Sequence, residues 1–312
     1  GIVDAKAITT TTVFAGLIGA ITWNLLTWML GLPSSSSHAI IGGTIGASLV
    51  QAGPSAIHWT GIVSKVLAPA LASPIIAVGA GALAVFLALR ITTRARDSFI
   101  QRGYRVGQVA SASLVSLAHG TNDAQKTMGI ITLALVANHS ITAKAGTPMW
   151  VVVVCAAAIG LGTYVGGWRV IRTLGKGLTD ISSPQGFAAE TVASSVILGA
   201  AHLGFAVSTT QVCSGSILGV GLGKGAPVRW GIAGQMLLAW LLTLPCAAVF
   251  GGIAGRITSG IGGLPGVVVT AAIALVLFVA IYSTAQRRPV TAENVNAPIP
   301  QDAVTALAAQ PA

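Results

Sequence analysis

Charge is scarce in this chain. Only 8% of its 312 residues are charged, and only 7 are Asp or Glu. Soluble domains carry about 25% charged residues, so a surface that faces water everywhere is excluded. Cysteine is scarce as well. Cys155, Cys213 and Cys246 each lie in an apolar run at no metal-ligand spacing, and they read as small buried hydrophobes. Period-two alternation over about 10 residues, the mark of a membrane barrel, is missing. No signal peptide is visible, and the chain starts at Gly1 rather than Met.

Apolar residues make up 54% of the chain, and mean hydropathy is +0.83. The runs 66–89, 148–166 and 264–284 reach the roughly 20 residues that span a bilayer core. The expected fold class is an all-α polytopic membrane protein with the lipid bilayer as solvent. The 39 glycines suit close helix packing in lipid. The net charge of +10 does not imply nucleic acid, because the basic residues sit between apolar runs, where the inside-outside bias of membrane proteins accounts for them.

Nine embedded segments are expected, at about 8–30, 34–52, 66–90, 106–136, 148–166, 186–206, 208–223, 230–256 and 264–284. A cytoplasmic loop after residue 90 places Arg90, Arg94, Arg96, Arg102, Arg105, Arg169, Arg172, Lys176, Lys224, Arg229, Arg287 and Arg288 inside. Lys6, Lys65, Lys144 and Arg256 fall outside or at that border. The opposite orientation reverses this balance and is rejected. The expected organisation is a first repeat at 1–90, a basic cytoplasmic loop at 91–105, a second repeat with closing helices at 106–284, and a disordered cytoplasmic tail at 285–312.

A run of hydroxyls stands out at "GLPSSSSHAIIGG", residues 31–43. "SSSHAIIGGTIG" at 35–46 aligns with "STTQVCSGSILG" at 208–219, at a constant offset of 173 residues. Ser35, Ser36, Ser37 and His38 match Ser208, Thr209, Thr210 and Gln211. Strict alternation sends the two copies across the membrane in opposite directions. Inverted-topology repeats with discontinuous half helices, meeting near the bilayer midplane, are a transporter architecture. Each copy follows a helix breaker, Gly31 with Pro33 or Gly204. Ser or Thr at such a break is a natural N-cap, and the new helix directs free N–H groups and its positive end at whatever precedes it. Two facing ends with added hydroxyls would make an oxyanion cage. The plainer alternative is that these hydroxyls only cap helices and bridge them.

"HGTNDAQKTMG" at 119–129 puts Asn122, Asp123, Gln125 and Lys126 at membrane depth. An ionised residue at a helix centre costs about 2.5–3.5 kcal/mol on insertion scales. Asp123 and Lys126, three apart, share a helix face and partly compensate each other. Gly120 and Gly129 leave room for a break or for close packing. One reading is a structural ion pair. The other is a site in which Asp123 and Asn122 hold a coupling cation and Lys126 contacts the anion. Oxygen ligands favour a hard cation such as Na⁺. Glu190 is a second acidic residue at membrane depth, as a cation ligand, a proton carrier or a helix-start Glu. His38 titrates near neutral pH in principle, although a lone histidine is more often structural; His119 and His202 carry the same caution. His58, Trp59 and Trp150 read as interface anchors.

Together these motifs resemble the PiT family of inorganic phosphate transporters. "WNLLTWMLGLPSSSSHAIIGG" is similar to its first serine-rich signature, "GTNDAQKTMG" to its Asn-Asp signature, and "GFAAETVASS" with "VSTTQVCSGSILGVG" to its second hydroxyl signature. They occur in the family's order from about residue 15 to 260. The resemblance implies phosphate symport driven by Na⁺ or H⁺, extending to metal-phosphate complexes in bacterial members, with no other cofactor, and a homodimer. It implies a phosphate site at Ser35, Ser36, Ser37, Ser208, Thr209 and Thr210, with Asn122 and Asp123 in cation or phosphate binding. Two departures stand out. The family's first Asn-Asp or His-Asp signature has no match before Ser34, so the first repeat is expected to be N-terminally incomplete. The family's histidine after the second hydroxyl cluster is Gln211, which cannot carry a proton. Two other classes are weighed against a carrier: a non-transporting phosphate sensor or scaffold, and an intramembrane hydrolase using a serine with His38. The second is disfavoured because Gln211 replaces the base in the repeat.

Overall fold

The computed structural model describes residues 2–4, 7–92, 97–142, 144–205 and 207–296, and the side chains of these except at 92–101. The elements in order are α1 (Thr10–Met29), α2 (Ser36–Ala52), α3 (Trp59–Ile62), which runs through a π turn into α4 (Ala68–Thr92), α5 (Asp97–Ala137), α6 (Met149–Val165), α7 (Trp168–Arg172), α8 (Ser183–His202), α9 (Thr209–Lys224), α10 (Trp230–Ile261) and α11 (Gly263–Gln286). Among the described residues, Thr10–Met29, Trp59–Ile91, Trp230–Ile261 and Gly263–Gln286 are long and apolar enough to cross a membrane. A fifth span is formed if the bent pair Met149–Val165 and Trp168–Gly177 counts as one. Their outward faces carry exposed Ile75, Leu83, Val153, Leu241 and Val276, a surface suited to acyl chains.

The offset of 173 residues seen in the sequence is the register of a structural repeat. α1 superposes in number on α8, and α2 on α9, from their first residues. Thr9 and Ser182 occupy equivalent positions before α1 and α8. The Thr9 N–H donates to Thr12 Oγ1, and the Ser182 N–H to Gln185 Oε1. Gly31 and Gly204 both take the left-handed backbone, φ 70° and 75°, which lets the chain reverse without a Cβ clash.

Packing partners are exchanged between the repeats. α2 lies along α10, and α9 lies along α4. A Cβ on Gly46 would sit 1.8 Å from the Ala248 carbonyl oxygen, and one on Gly219 would sit 2.2 Å from that of Val78. These are near-contacts of backbone on backbone, the small-residue packing that lipid-embedded helices use. Gly42 meets Leu244 and Gly46 meets Ala248, so α2 and α10 run parallel. Gly215 meets Pro74 and Gly219 meets Val78, so α9 and α4 do likewise. α9 and α10 are joined by a short turn through Gly225, and Leu218 packs against the apolar cluster of Leu178, Ile232 and Met236. α5 passes both half helices. Lys126 meets Ser37, and Ile130 and Leu133 share a cavity with Ile40 and Thr44, so α2 runs with α5. Asp123 meets Thr209, and Ala118 shares a cluster with Val212, so α9 runs against α5 and against α2, as inverted repeats require.

At 17 and 16 residues, α2 and α9 are about 25 Å long, short of the roughly 30 Å hydrocarbon core. Each begins inside the molecule at a buried serine cap. The fold is the all-α polytopic arrangement expected, with discontinuous helices meeting in its interior.

Three local expectations differ from the structure. α5 is one helix of 41 residues and is not broken at Gly120 or Gly129. It also takes up 97–105, most of the stretch expected as a loop, while 93–96 lie outside the described residues. Residues 168–177 form a short helix and a π turn, set 62° from α6, where no element was expected. The tail is tied down as far as residue 296: Arg172 donates to the carbonyl of Val295 at 3.4 Å and to Asn294, and Val295 is buried. Residues 297–312 lie outside the described residues.

Candidate functional site

The two half helices start alike. Ser35 Oγ accepts the N–H of His38 at 3.2 Å, and Ser208 Oγ accepts that of Gln211 at 3.3 Å. These caps use one free N–H per helix. The N–H groups of Ser36 and Ser37, and of Thr209 and Thr210, remain without an intrahelical acceptor. Ser35, Ser37, Ser208 and Thr209 are buried, whereas Ser36 is exposed and Thr210 is half-buried.

The middle of α5 holds both starts. Lys126 Nζ donates to Ser37 Oγ at 2.7 Å and to the Val207 carbonyl at 2.8 Å. One ammonium therefore touches the first turn of α2 and the residue before the cap of α9. Asn122 Nδ2 also reaches the Val207 carbonyl, at 3.5 Å. Asp123, one turn earlier on the same face, lies 3.5 Å from Lys126 Nζ through Oδ1 and accepts from Thr209 Oγ1 at 3.3 Å through Oδ2. His119 Nε2 lies 3.3 Å from that second oxygen. An ionised pair at this depth is tolerable because each charge has several oxygen or nitrogen partners.

Seven buried side-chain polar atoms have no hydrogen-bond partner among the described residues: four on Ser48, Gln51, Ser73 and Gln185, away from this cluster, and three more, His38 Nε2, Asp123 Oδ1 (which has only its ion pair with Lys126) and Gln211 Oε1. All three belong to the half-helix starts or to the α5 cluster. A buried polar atom left unpaired costs about 1–3 kcal/mol, and these three have hydrogen-bonding capacity not used within the protein. Free helix-start N–H groups, hydroxyls and one ammonium can hold an oxyanion. Carboxylate, amide and hydroxyl oxygens can hold a hard cation. Among the described residues no serine hydroxyl bonds to His38 Nε2, the contact expected of a Ser–His pair.

The structure thus brings together Ser35, Ser37, His38, Asn122, Asp123, Lys126, Ser208, Thr209 and Gln211. It sets Gln125 on the exposed face of α5. Glu190 lies elsewhere on α8, where its Oε2 accepts from Ser111 Oγ at 2.5 Å. Ser111 precedes Asp123 by about three turns, or roughly 18 Å along α5.

Several supporting contacts have no local sequence signal. Trp240 Nε1 on α10 donates to the Pro33 carbonyl at 2.8 Å, and Thr27 and Ser34 share a hydroxyl bond of 2.7 Å. Thr173 Oγ1 donates to the Gly31 carbonyl at 2.7 Å. Together they fix the segment that presents Ser35. Arg169 donates to the carbonyls of Met29, Ala285 and Arg288, gathering the ends of α1 and α11.

The Phosphate transporter family matches residues 1–102 and 92–251. The chain belongs to this family. Among its relatives, the "Probable low-affinity inorganic phosphate transporter" of Mycobacterium tuberculosis is 52% identical over 299 residues, covering 95% of this chain and 72% of that one. Proteins of the same name from Rhizobium meliloti and Bacillus subtilis are 44% and 43% identical over 80% and 78% of this chain, and 75% and 73% of their own. A solved structure titled "The sodium-dependent phosphate transporter" shares the fold, with a TM-score of 0.69 over 84% of each chain at 21% identity. This is a transporter family rather than an enzyme family, and with its apolar helices the chain is a multi-pass membrane protein.

Proposed function

We propose that this phosphate transporter family member carries inorganic phosphate, free or as a metal-phosphate complex, across the membrane in symport with Na⁺ or H⁺. The observation that carries this reading is the pair of buried, serine-capped half-helix starts from opposed repeats, joined by one ammonium. Relatives named as low-affinity inorganic phosphate transporters supply the substrate class. Phosphate sits between the two starts, held by Ser35, Ser36, Ser37, Ser208, Thr209 and Thr210 with Lys126. Asn122 and Asp123 serve the coupling cation, with His38 and Gln211 beside it. Gln125 and Glu190 act from further away.

Rocking of one repeat against the other exposes this position to each side in turn. Anion and cation bind better together than apart, because each lowers the other's electrostatic cost. Residues 91–105 and the C-terminus face the cytoplasm, the side that collects the basic residues.

Radiolabelled phosphate uptake into proteoliposomes tests the reading. Accumulation against a phosphate gradient is expected when a Na⁺ or H⁺ gradient is imposed. Saturable phosphate binding without flux under either gradient overturns it and leaves a phosphate sensor.

A further inference from the structure

An ammonium has three hydrogens and needs three acceptors. Lys126 Nζ has a hydroxyl oxygen at 2.7 Å (Ser37), a carbonyl oxygen at 2.8 Å (Val207) and a carboxylate oxygen at 3.5 Å (Asp123). The first two are charge-assisted lengths. The side chain is 20% exposed, so little water competes. Hydroxyl, carbonyl and carboxylate oxygens drawn from two opposed helix starts and a third helix are also the donor set a hard monovalent cation uses. Here that set is already taken by a charge covalently attached to α5. A free cation among the same oxygens would face a like charge at contact distance in a poorly screened interior.

We propose that the Lys126 ammonium is the resident cation of this site, a tethered substitute for a free Na⁺. It balances part of the charge of a bound phosphate and joins the two repeats, so phosphate binding by this protein needs no Na⁺ at this position. The proposal rests on the symport reading and narrows it, since of the two driving ions Na⁺ is the one excluded here. Removing the ammonium while keeping Asp123, Ser37 and the Val207 carbonyl should open the position to a free cation.

Two measurements on the protein test this. The first is phosphate uptake into proteoliposomes, with Na⁺ replaced by choline at constant pH and membrane potential. The second is radiolabelled Na⁺ binding to the detergent-purified protein, compared among the parent, Lys126→Ala, Lys126→Asn and Asp123→Asn. The parent is expected to take up phosphate equally, within twofold, in Na⁺ and in choline. It should show no saturable Na⁺ binding that Asp123→Asn removes. Lys126→Ala or Lys126→Asn should gain saturable Na⁺ binding and a phosphate uptake at least fivefold higher in Na⁺ than in choline.

Parent uptake that falls tenfold in choline overturns the proposal. So does parent Na⁺ binding abolished by Asp123→Asn, or a folded Lys126→Asn protein that still ignores Na⁺. Failure of transport itself is distinguishable. A parent inactive under every gradient overturns the symport reading, whereas the Na⁺-binding comparison still decides the role of Lys126. If the Lys126 variants fail to fold, the two parent measurements decide it alone.

Discussion

Asp123 accepts a hydrogen bond from Thr209 Oγ1 at 3.3 Å, across the boundary between α5 and the start of α9. Three residues further along α5, Lys126 reaches the start of α2 through Ser37. One helix face thus holds both half-helix starts: Lys126 bonds to both, and Asp123 adds a second bond to the start of α9.

Replacing Thr209 and Thr210 with Val removes two hydroxyls at the start of α9 without changing side-chain shape much. A hydrogen bond to a charged group contributes about 1.5–3 kcal/mol. Phosphate affinity is therefore expected to fall by tenfold or more, with a modest fall in melting temperature from the lost Thr209–Asp123 bond. Isothermal titration of the purified variant checks this. Unchanged affinity in a folded variant would remove the second hydroxyl cluster from the site.

Asp123→Asn keeps the bond from Thr209 but removes the charge facing Lys126 and His119. Transport is expected to lose its dependence on the driving cation while expression holds. Uptake at a series of cation gradients measures this, and a parent-like dependence would exclude Asp123 from coupling.

Gly46→Ala and Gly219→Ala force a methyl against the Ala248 and Val78 carbonyls. Overpacking of this kind costs typically 1–3 kcal/mol, so both variants should melt lower in detergent. Gly79→Ala is the control, because nothing lies within 4 Å of its added Cβ. Removing that helical glycine should be neutral or raise stability by roughly 0.5–1 kcal/mol.

Orientation is open to cysteine labelling. Lys144→Cys and Lys176→Cys both replace exposed side chains. In intact cells an impermeant thiol reagent should modify position 144 and spare position 176. The reverse pattern would invert the assigned topology.

The half-helix starts were legible because two local signals coincide there: a capping serine after a glycine break, and its copy 173 residues on. The Asn122, Asp123 and Lys126 face was legible because ionised residues in an apolar chain have few tolerable places. The helix at Trp168–Arg172 was not, since "GWRVIRTLGKG" is too short and basic to carry an apolar period. The full length of α5 was hidden for a related reason. Its first turns lie among the basic residues at 94–105 and resemble a loop in composition, although helix geometry tolerates them well. The bond from Trp240 to Pro33 joins residues 207 apart, and no periodicity reports a contact at that distance. Gln125 looked equivalent to its neighbours in sequence, but the helical turn carries it to the opposite face.

The two segments leading into α2 and α9 share a backbone plan but not a fastening. Pro33, before the first, is held by the neutral indole of Trp240, while Val207, before the second, is held by the ammonium of Lys126. Neutral hydrogen bonds contribute about 0.5–1.5 kcal/mol and charged ones about 1.5–3 kcal/mol. The residue before α2 is thus held by a neutral donor and the residue before α9 by a charged one, although the same ammonium also reaches Ser37 inside α2. The single ammonium that reaches both segments makes the two repeats mechanically dependent on one side chain, so its loss loosens both half helices at once.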